Sequence, residues 1–316
     1  MVRFHAIVYA TCSFIALVLT FVAMFAGRHA GKGEQYHILT LNTSRIGANV
    51  YQNFADANDD PDNPLALLFN NLTQPLTGGI NSGLNSAIGS LAKDLHIQDF
   101  YSAHMFTGCN GTYTPQPVPD SDVAASQIHK DVAGCSKPSA SFAFNPVQQI
   151  EDSMKQTQVG DALTQINFPA NLSDELAAMR SAWHALVAFF ILAVIFNFLS
   201  LFATWTGVVF VGRRVALLNA ALAGLNLLGV GTGTVIATAV GYLGAKVIND
   251  AGNGVGLEGH AGHKFMALAW TATVFVGIVF VGWTVDWFLV RRREKREAKE
   301  ESPLVSQEKP LAQEGK

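Results

Sequence analysis

Charge is what this chain has least of. Only 14% of its 316 residues are Asp, Glu, Lys or Arg, where a soluble domain carries about 25%. The shortfall is uneven, because long uncharged runs sit near the N-terminus and between residues 182 and 290, with polar residues crowded between them. That distribution excludes one large globular core. Cysteine is scarce too. Three are too few for a disulfide-rich scaffold, and their spacing excludes a zinc site. A net charge of −3 gives no general pull toward nucleic acid, and none is expected as a partner. Catalytic constellations are missing. His260 and His263 stand three positions apart in a Gly-rich stretch with no Cys or carboxylate cluster beside them, which reads as a solvated loop rather than a metal site. Gly229, Gly231 and Gly233 resemble a nucleotide loop only in spacing, since they lie in an apolar run with no strand before them. No catalytic residue, metal or cofactor is therefore expected, and the chain is not expected to be an enzyme. Ionisable groups are also missing from the middle of every apolar run, which argues against a transporter or channel.

What is present is four apolar runs, at residues 4–26, 182–211, 215–245 and 265–290. At ~1.5 Å per residue each is long enough for a ~30 Å hydrocarbon core. The first exceeds the ~7–15 apolar residues of a cleaved signal peptide, so an uncleaved span is expected. Runs two and three are separated only by residues 212–214 and should form a hairpin. Basic residues set the direction. Arg3, the pair Arg213–Arg214 and the cluster Arg291, Arg292, Arg293 all fall on one side of a four-span threading, which places residues 1–3, 212–214 and 291–316 in the cytoplasm. Residues 27–181 and 246–264 then lie outside. Four glycosylation acceptors, Asn42, Asn71, Asn110 and Asn171, all fall in the first external loop. The tryptophans fit two interfacial belts, Trp183 and Trp270 outside, Trp205, Trp283 and Trp287 inside.

The loop of residues 27–181 is long enough for a small domain. Helical spacing of Ile80, Leu84, Ile88, Leu91 and Leu95 predicts an amphipathic helix, either a domain core or a face for membrane or partner. A second helix is expected over residues 147–166. A third should begin at residues 171–173, with Ser173 as cap, and run into span two. Residues 139–145 alternate like a short strand, with Phe142 and Phe144 on one face. Cys109 and Cys135 are the only cysteines expected outside the membrane, so a disulfide is the default in an oxidising compartment. Cys12, inside span one, reads as a buried thiol, or as a palmitoylation site were it nearer the inner face. The fold class expected is an all-α membrane protein, a four-transmembrane-helix bundle with a large, mainly helical extracellular loop domain closed by one disulfide.

Along run three, Gly229, Gly233, Ala237, Gly241 and Ala245 recur every fourth residue, a stripe that lets another helix approach closely, within the bundle or in a second copy. Asn197, Asn219 and Asn226 should hydrogen-bond neighbouring helices or backbone. Arg213, Arg214, Arg291, Arg292 and Arg293 are suited to anionic headgroups, at ~1 kcal/mol each near the surface, or act only as stop-transfer charge.

These residues also resemble a family. Residues 99–115 (DFYSAHMFTGCNGTYTP) and 134–146 (GCSKPSASFAFNP) look like the loop signature of the fungal SUR/PalI family. The matching elements are Asp99-Phe100-Tyr101-Ser102, the Cys109-x-Gly111 step, Cys135-Ser136 and the Phe142-x-Phe144 pair. The resemblance implies a four-span plasma-membrane protein, distantly claudin-like, that organises cortical patches (eisosomes) and affects endocytosis, cell-wall deposition and lipid balance. A related branch assists ambient-pH or stress signalling; the roughly 26 residues after run four favour the cortical branch. The partners implied are membrane lipids, both the anionic inner leaflet and sphingolipid or sterol domains, and further copies or other four-span cortical proteins.

Overall fold

The computed structural model describes residues 4–44, 97–114, 128–145, 148, 170–210, 212–252 and 257–307. Four helices are long and apolar enough to cross a membrane. They are α1 (Phe4–Phe25), α2 (Ala170–Val209), α3 (Arg213–Gly252) and α4 (His263–Gln307). A helix is the form such runs must take in lipid, because it satisfies its backbone polar groups internally. Three helices outrun their apolar spans, since polar ends still propagate a helix once it is nucleated. Thus α2 is continuous from the loop into span two, as expected, but it begins at Ala170, so Ser173 lies inside it rather than capping it. Likewise α4 carries on through the arginine cluster into the tail.

The loops add an element the sequence did not announce. Among their described residues, beside a 3-10 turn and helix ends, a sheet forms from β1 (Leu39–Asn42), β2 (Phe100–Ala103), β3 (Gly108–Thr114), β4 (His129–Cys135) and β5 (Glu258–Ala261). The order is β4-β3-β2-β1-β5, antiparallel throughout. The sheet was not expected from sequence: β1 and β2 are buried at every residue, so neither shows the alternation that marks a half-exposed strand. The helices expected over residues 80–95 and 147–166 lie outside the described residues, apart from a lone helical position at Gln148. Residues 139–145 are irregular rather than a strand, although Phe142 and Phe144 both pack on Trp183.

The chain divides into two compact units. One takes Met1–Phe21, Phe190–Thr232 and Trp270–Lys316, and the regular structure of its described residues is all helix. Small residues make its core, with Ala16, Ala193, Val230, Ala272 and Val276 in one cluster and Ala6, Ala216, Ala223, Val279 and Trp283 in another. A Cβ on Gly229 would stand 3.4 Å from the Ala193 backbone, so α3 passes α2 closely at this glycine. The three asparagines inside this apolar unit each donate a hydrogen bond. Asn226 Nδ2 donates to Asn197 Oδ1 at 2.9 Å, Asn197 Nδ2 to Thr20 Oγ1 at 3.4 Å, and Asn219 Nδ2 to the Val215 carbonyl at 3.0 Å. At one end Asp286 meets His5 at 3.0 Å. Trp283 is fully buried against Gly207 and Tyr9 instead of standing in an interfacial belt, because the missing Cβ at Gly207 leaves room for its ring.

The other unit carries the sheet, from Val22–Phe189 and Gly233–Ala269. Its core holds Ile38, Leu39, Leu41, Phe100, Tyr101, Met105, Phe144 and Trp183. Trp183 also departs from the belt reading: it is fully buried and its indole N–H donates to the Met105 carbonyl at 3.2 Å. The rest of the small-residue stripe is used here. Gly233 and Ala237 are buried, and a Cβ on Gly241 would come within 2.6 Å of Met266 and 3.0 Å of the Ile38 carbonyl.

Candidate functional site

The most chemically distinctive place among the described residues lies in the sheet-bearing unit, where the chain leaves α1. Gly27 adopts a left-handed conformation at φ 72°, which ends the helix and which only glycine takes without cost. A Cβ there would run into the ring of His104. Thr107 pins the same turn by donating to the Gly27 carbonyl at 2.9 Å. Six residues on, a single 3-10 turn at Glu34–Tyr36 presents Glu34 to the sheet.

Glu34 gathers the cluster. One carboxylate oxygen is 3.0 Å from Nε2 of His104, a fully buried residue between β2 and β3; the other is 3.7 Å from Nζ of Lys130 on β4. Lys130 also donates to Thr40 Oγ1 at 3.4 Å and lies 4.8 Å from the centre of the Phe100 ring. The His37 ring stands edge-on to His104, 6.4 Å between centres, and its Nδ1 is 2.8 Å from the Glu34 carbonyl oxygen. Such a cluster is stable only as a set, since each buried charge needs its partner.

The electrostatics follow from burial and pairing. Burial alone would raise Glu34, but the His104 hydrogen bond and charge, a Ser102 hydrogen bond and Lys130 outweigh it and hold the carboxyl below its usual range. Burial, then the Lys130 charge, pushes His37 down to about 4, so it is neutral near pH 7. Burial lowers Lys130 as well, against the pull of Glu34. Tyr113 is raised by burial, with Asp99, Glu34 and Glu258 adding to it.

Beside the cluster stands the disulfide. Cys109 on β3 and Cys135 on β4 are direct cross-strand partners and are bonded. With a sequence separation of 26, the closed loop is worth ~3–4 kcal/mol in the chain-entropy model. Cys12 is a free, half-buried thiol within α1.

The remaining sequence-derived positions scatter. Asn42 is 8% exposed in β1, its amide donating to Glu258 of β5 at 3.4 Å and its carbonyl oxygen accepting from Ser44. Asn110 is half-buried on β3 at a register shift. Asn71 lies outside the described residues, and Asn171 falls in the first turn of α2. Arg213 and Arg214 are exposed at the start of α3; Arg292 and Arg293 are exposed on α4, and Arg291 stacks over Trp287 at 5.5 Å. His260 pairs with Glu258 at 3.5 Å, whereas His263 meets the Tyr242 hydroxyl at 3.3 Å, so the two histidines face different partners.

Sequence reading missed Glu34, His37, His104 and Lys130. Two signals pointed there. Gly27, Gly31 and Gly33 follow an apolar run at the spacing of left-handed turns, and Glu34 is the first acidic residue in the chain.

Comparison with curated proteins and with solved structures finds no match. The model of the SUR7/PalI family matches residues 5–282, which takes in α1 from its second residue, α2, α3, the five described strands and the first 20 residues of α4. On that match the chain belongs to the SUR7/PalI family, and with its four span-length helices it is a multi-pass membrane protein.

Proposed function

We propose that this protein is a non-enzymatic organiser of plasma-membrane domains of the cortical-patch (eisosome) kind, with both termini in the cytoplasm and the sheet outside. The observation that carries the reading is the pairing of β1 with β5. It joins the loop before α2 to the loop between α3 and α4 in one sheet, so both loops share a side of the membrane, as an even threading requires. The arginine-bearing ends of α3 and α4 then face the opposite, cytoplasmic side. A disulfide suits an outside location, where thiols are oxidised. The SUR7/PalI family is not known as an enzyme family, and the implied work is lateral: exposed apolar faces such as Phe198, Phe202 and Leu228 meet lipid, while the arginines hold anionic headgroups. Fluorescently tagged protein should sit in stable, immobile cortical patches. Uniform, freely diffusing fluorescence would sink the organiser reading.

A second reading, an accessory subunit of an ambient-pH or stress-sensing complex, draws on the half-buried Lys130, whose amine burial holds below its ordinary range against the pull of Glu34. Loss of alkaline growth with patches intact would favour it over the first.

A further inference from the structure

We propose that the cluster hides a redox-gated metal site: when the Cys109–Cys135 bond is reduced, Cys109, His104 and Glu34 bind a thiophilic divalent cation of the zinc class. The three residues come from separate places in the chain, the 3-10 turn, the β2–β3 connection and β3. Even so, one ligand atom from each lies within 4.8 Å of the others. Ligands around a tetrahedral ion bonded at ~2.0–2.3 Å need only close by about an ångström from there. Two of the three are already ordered. His104 is 1% exposed and Glu34 is held by it at 3.0 Å. Nδ1 of His104 is buried with no hydrogen-bond partner, so the ring still has a nitrogen to satisfy. One thiolate and one carboxylate supply the two negative charges that offset a divalent ion. Lys130, 3.7 Å from the second oxygen of Glu34, is a positive group that opposes the ion.

The gate is the disulfide itself, because a sulfur bonded to Cys135 has no thiolate to offer. A dithiol supplies the two electrons and two protons that turn Cys109–S–S–Cys135 into two thiols, leaving as its own cyclic disulfide. Cys109 then loses its proton to solvent as the metal–sulfur bond forms. The ion would tie β3 to the turn after α1, a cross-link that replaces the one lost.

The test uses the full chain in detergent with Cys12→Ser as background, reduced by a phosphine that does not itself bind metal, and Co2+ as probe. Reduced protein should show a thiolate-to-cobalt charge-transfer band at one equivalent, and oxidised protein none. Cys135→Ser, which frees Cys109 without reductant, should bind likewise, while Cys109→Ser should lose the band. Glu34→Gln and His104→Asn should each weaken binding at least tenfold. Should reduction or Cys135→Ser unfold the domain, added Co2+ or Zn2+ must restore the circular-dichroism spectrum of the oxidised form. No band in the reduced protein, the same band in Cys109→Ser, or affinity unchanged in both Glu34→Gln and His104→Asn overturns the proposal.

Discussion

The two units solve the problem of buried polar groups in different chemistry. In the helical unit the interior contacts among α1, α2 and α3 are neutral, Thr20 to Asn197 to Asn226, and backbones approach over Gly229 and a row of alanines. In the sheet-bearing unit the interior holds ionisable groups, Glu34 between His104 and Lys130, and a covalent link stands beside them. The difference follows the solvent each unfolded segment would otherwise see. Inside lipid a charge costs several kilocalories while small neutral contacts associate helices well enough. In a small water-exposed domain, paired charge and a disulfide can be tolerated and add what a thin core lacks.

That contrast can be broken most sharply at the disulfide. Cys135→Ser should lower the unfolding free energy of the sheet-bearing unit by about 3–4 kcal/mol, read as a fall in its thermal midpoint, and leave the helical unit unaffected. A uniform shift of both would mean that they unfold as one. Acid comes next. Because burial holds His37 at about 4 against an ordinary 6.5, the unfolded chain takes up that proton first as pH falls. Stability present above about pH 6.5 should therefore be lost progressively down to about 4, by up to roughly 3 kcal/mol. Glu34, held below its usual range, adds to the loss under about pH 4.5. His37→Gln should flatten the slope between 6.5 and 4 in thermal melts; an unchanged slope assigns it to other groups.

The helical unit offers a smaller effect. Asn226→Ala removes one interhelical hydrogen bond and should cost about 1 kcal/mol, measured by denaturation in mixed micelles, with no dependence on pH or reductant. A loss above ~3 kcal/mol would mean that the polar chain is worth more than its bonds. The smallest concerns modification. Asn42→Gln should leave the glycosidase-sensitive gel shift unchanged, because the Asn42 amide is engaged by Glu258, while Asn110→Gln should reduce it. The reverse pattern would show that glycan is added before β5 arrives.

What the sequence made legible tracks how local each signal is. The four spans were plain because hydropathy is a property of consecutive residues, and Asn197, Asn219 and Asn226 were placed in bonds because lipid leaves them no other choice. The disulfide followed from having only two cysteines in the loop. The sheet was not legible. β1 reads LTLN and β4 reads HKDVAGC, neither with clear period two, and the Asn42–Glu258 contact spans 216 positions. Trp183 and Trp283 misled for a related reason: position in a span suggests an interface, but only the cavity at Gly207 or the Met105 carbonyl shows that the ring goes inside. The charged cluster depends on the sheet, so it stayed hidden with it.

The pairing of β1 with β5 sets an order of events during biogenesis. A chain emerging from the ribosome makes β1 to β4 long before β5, and α2 and α3 must both be threaded before Glu258 is synthesised. Until then one edge of β1 is open to any passing strand, including β1 of a neighbouring nascent chain. Completion of the sheet therefore reports that the third helix has crossed. A molecule with a mis-inserted hairpin would instead keep that edge of β1 unpaired.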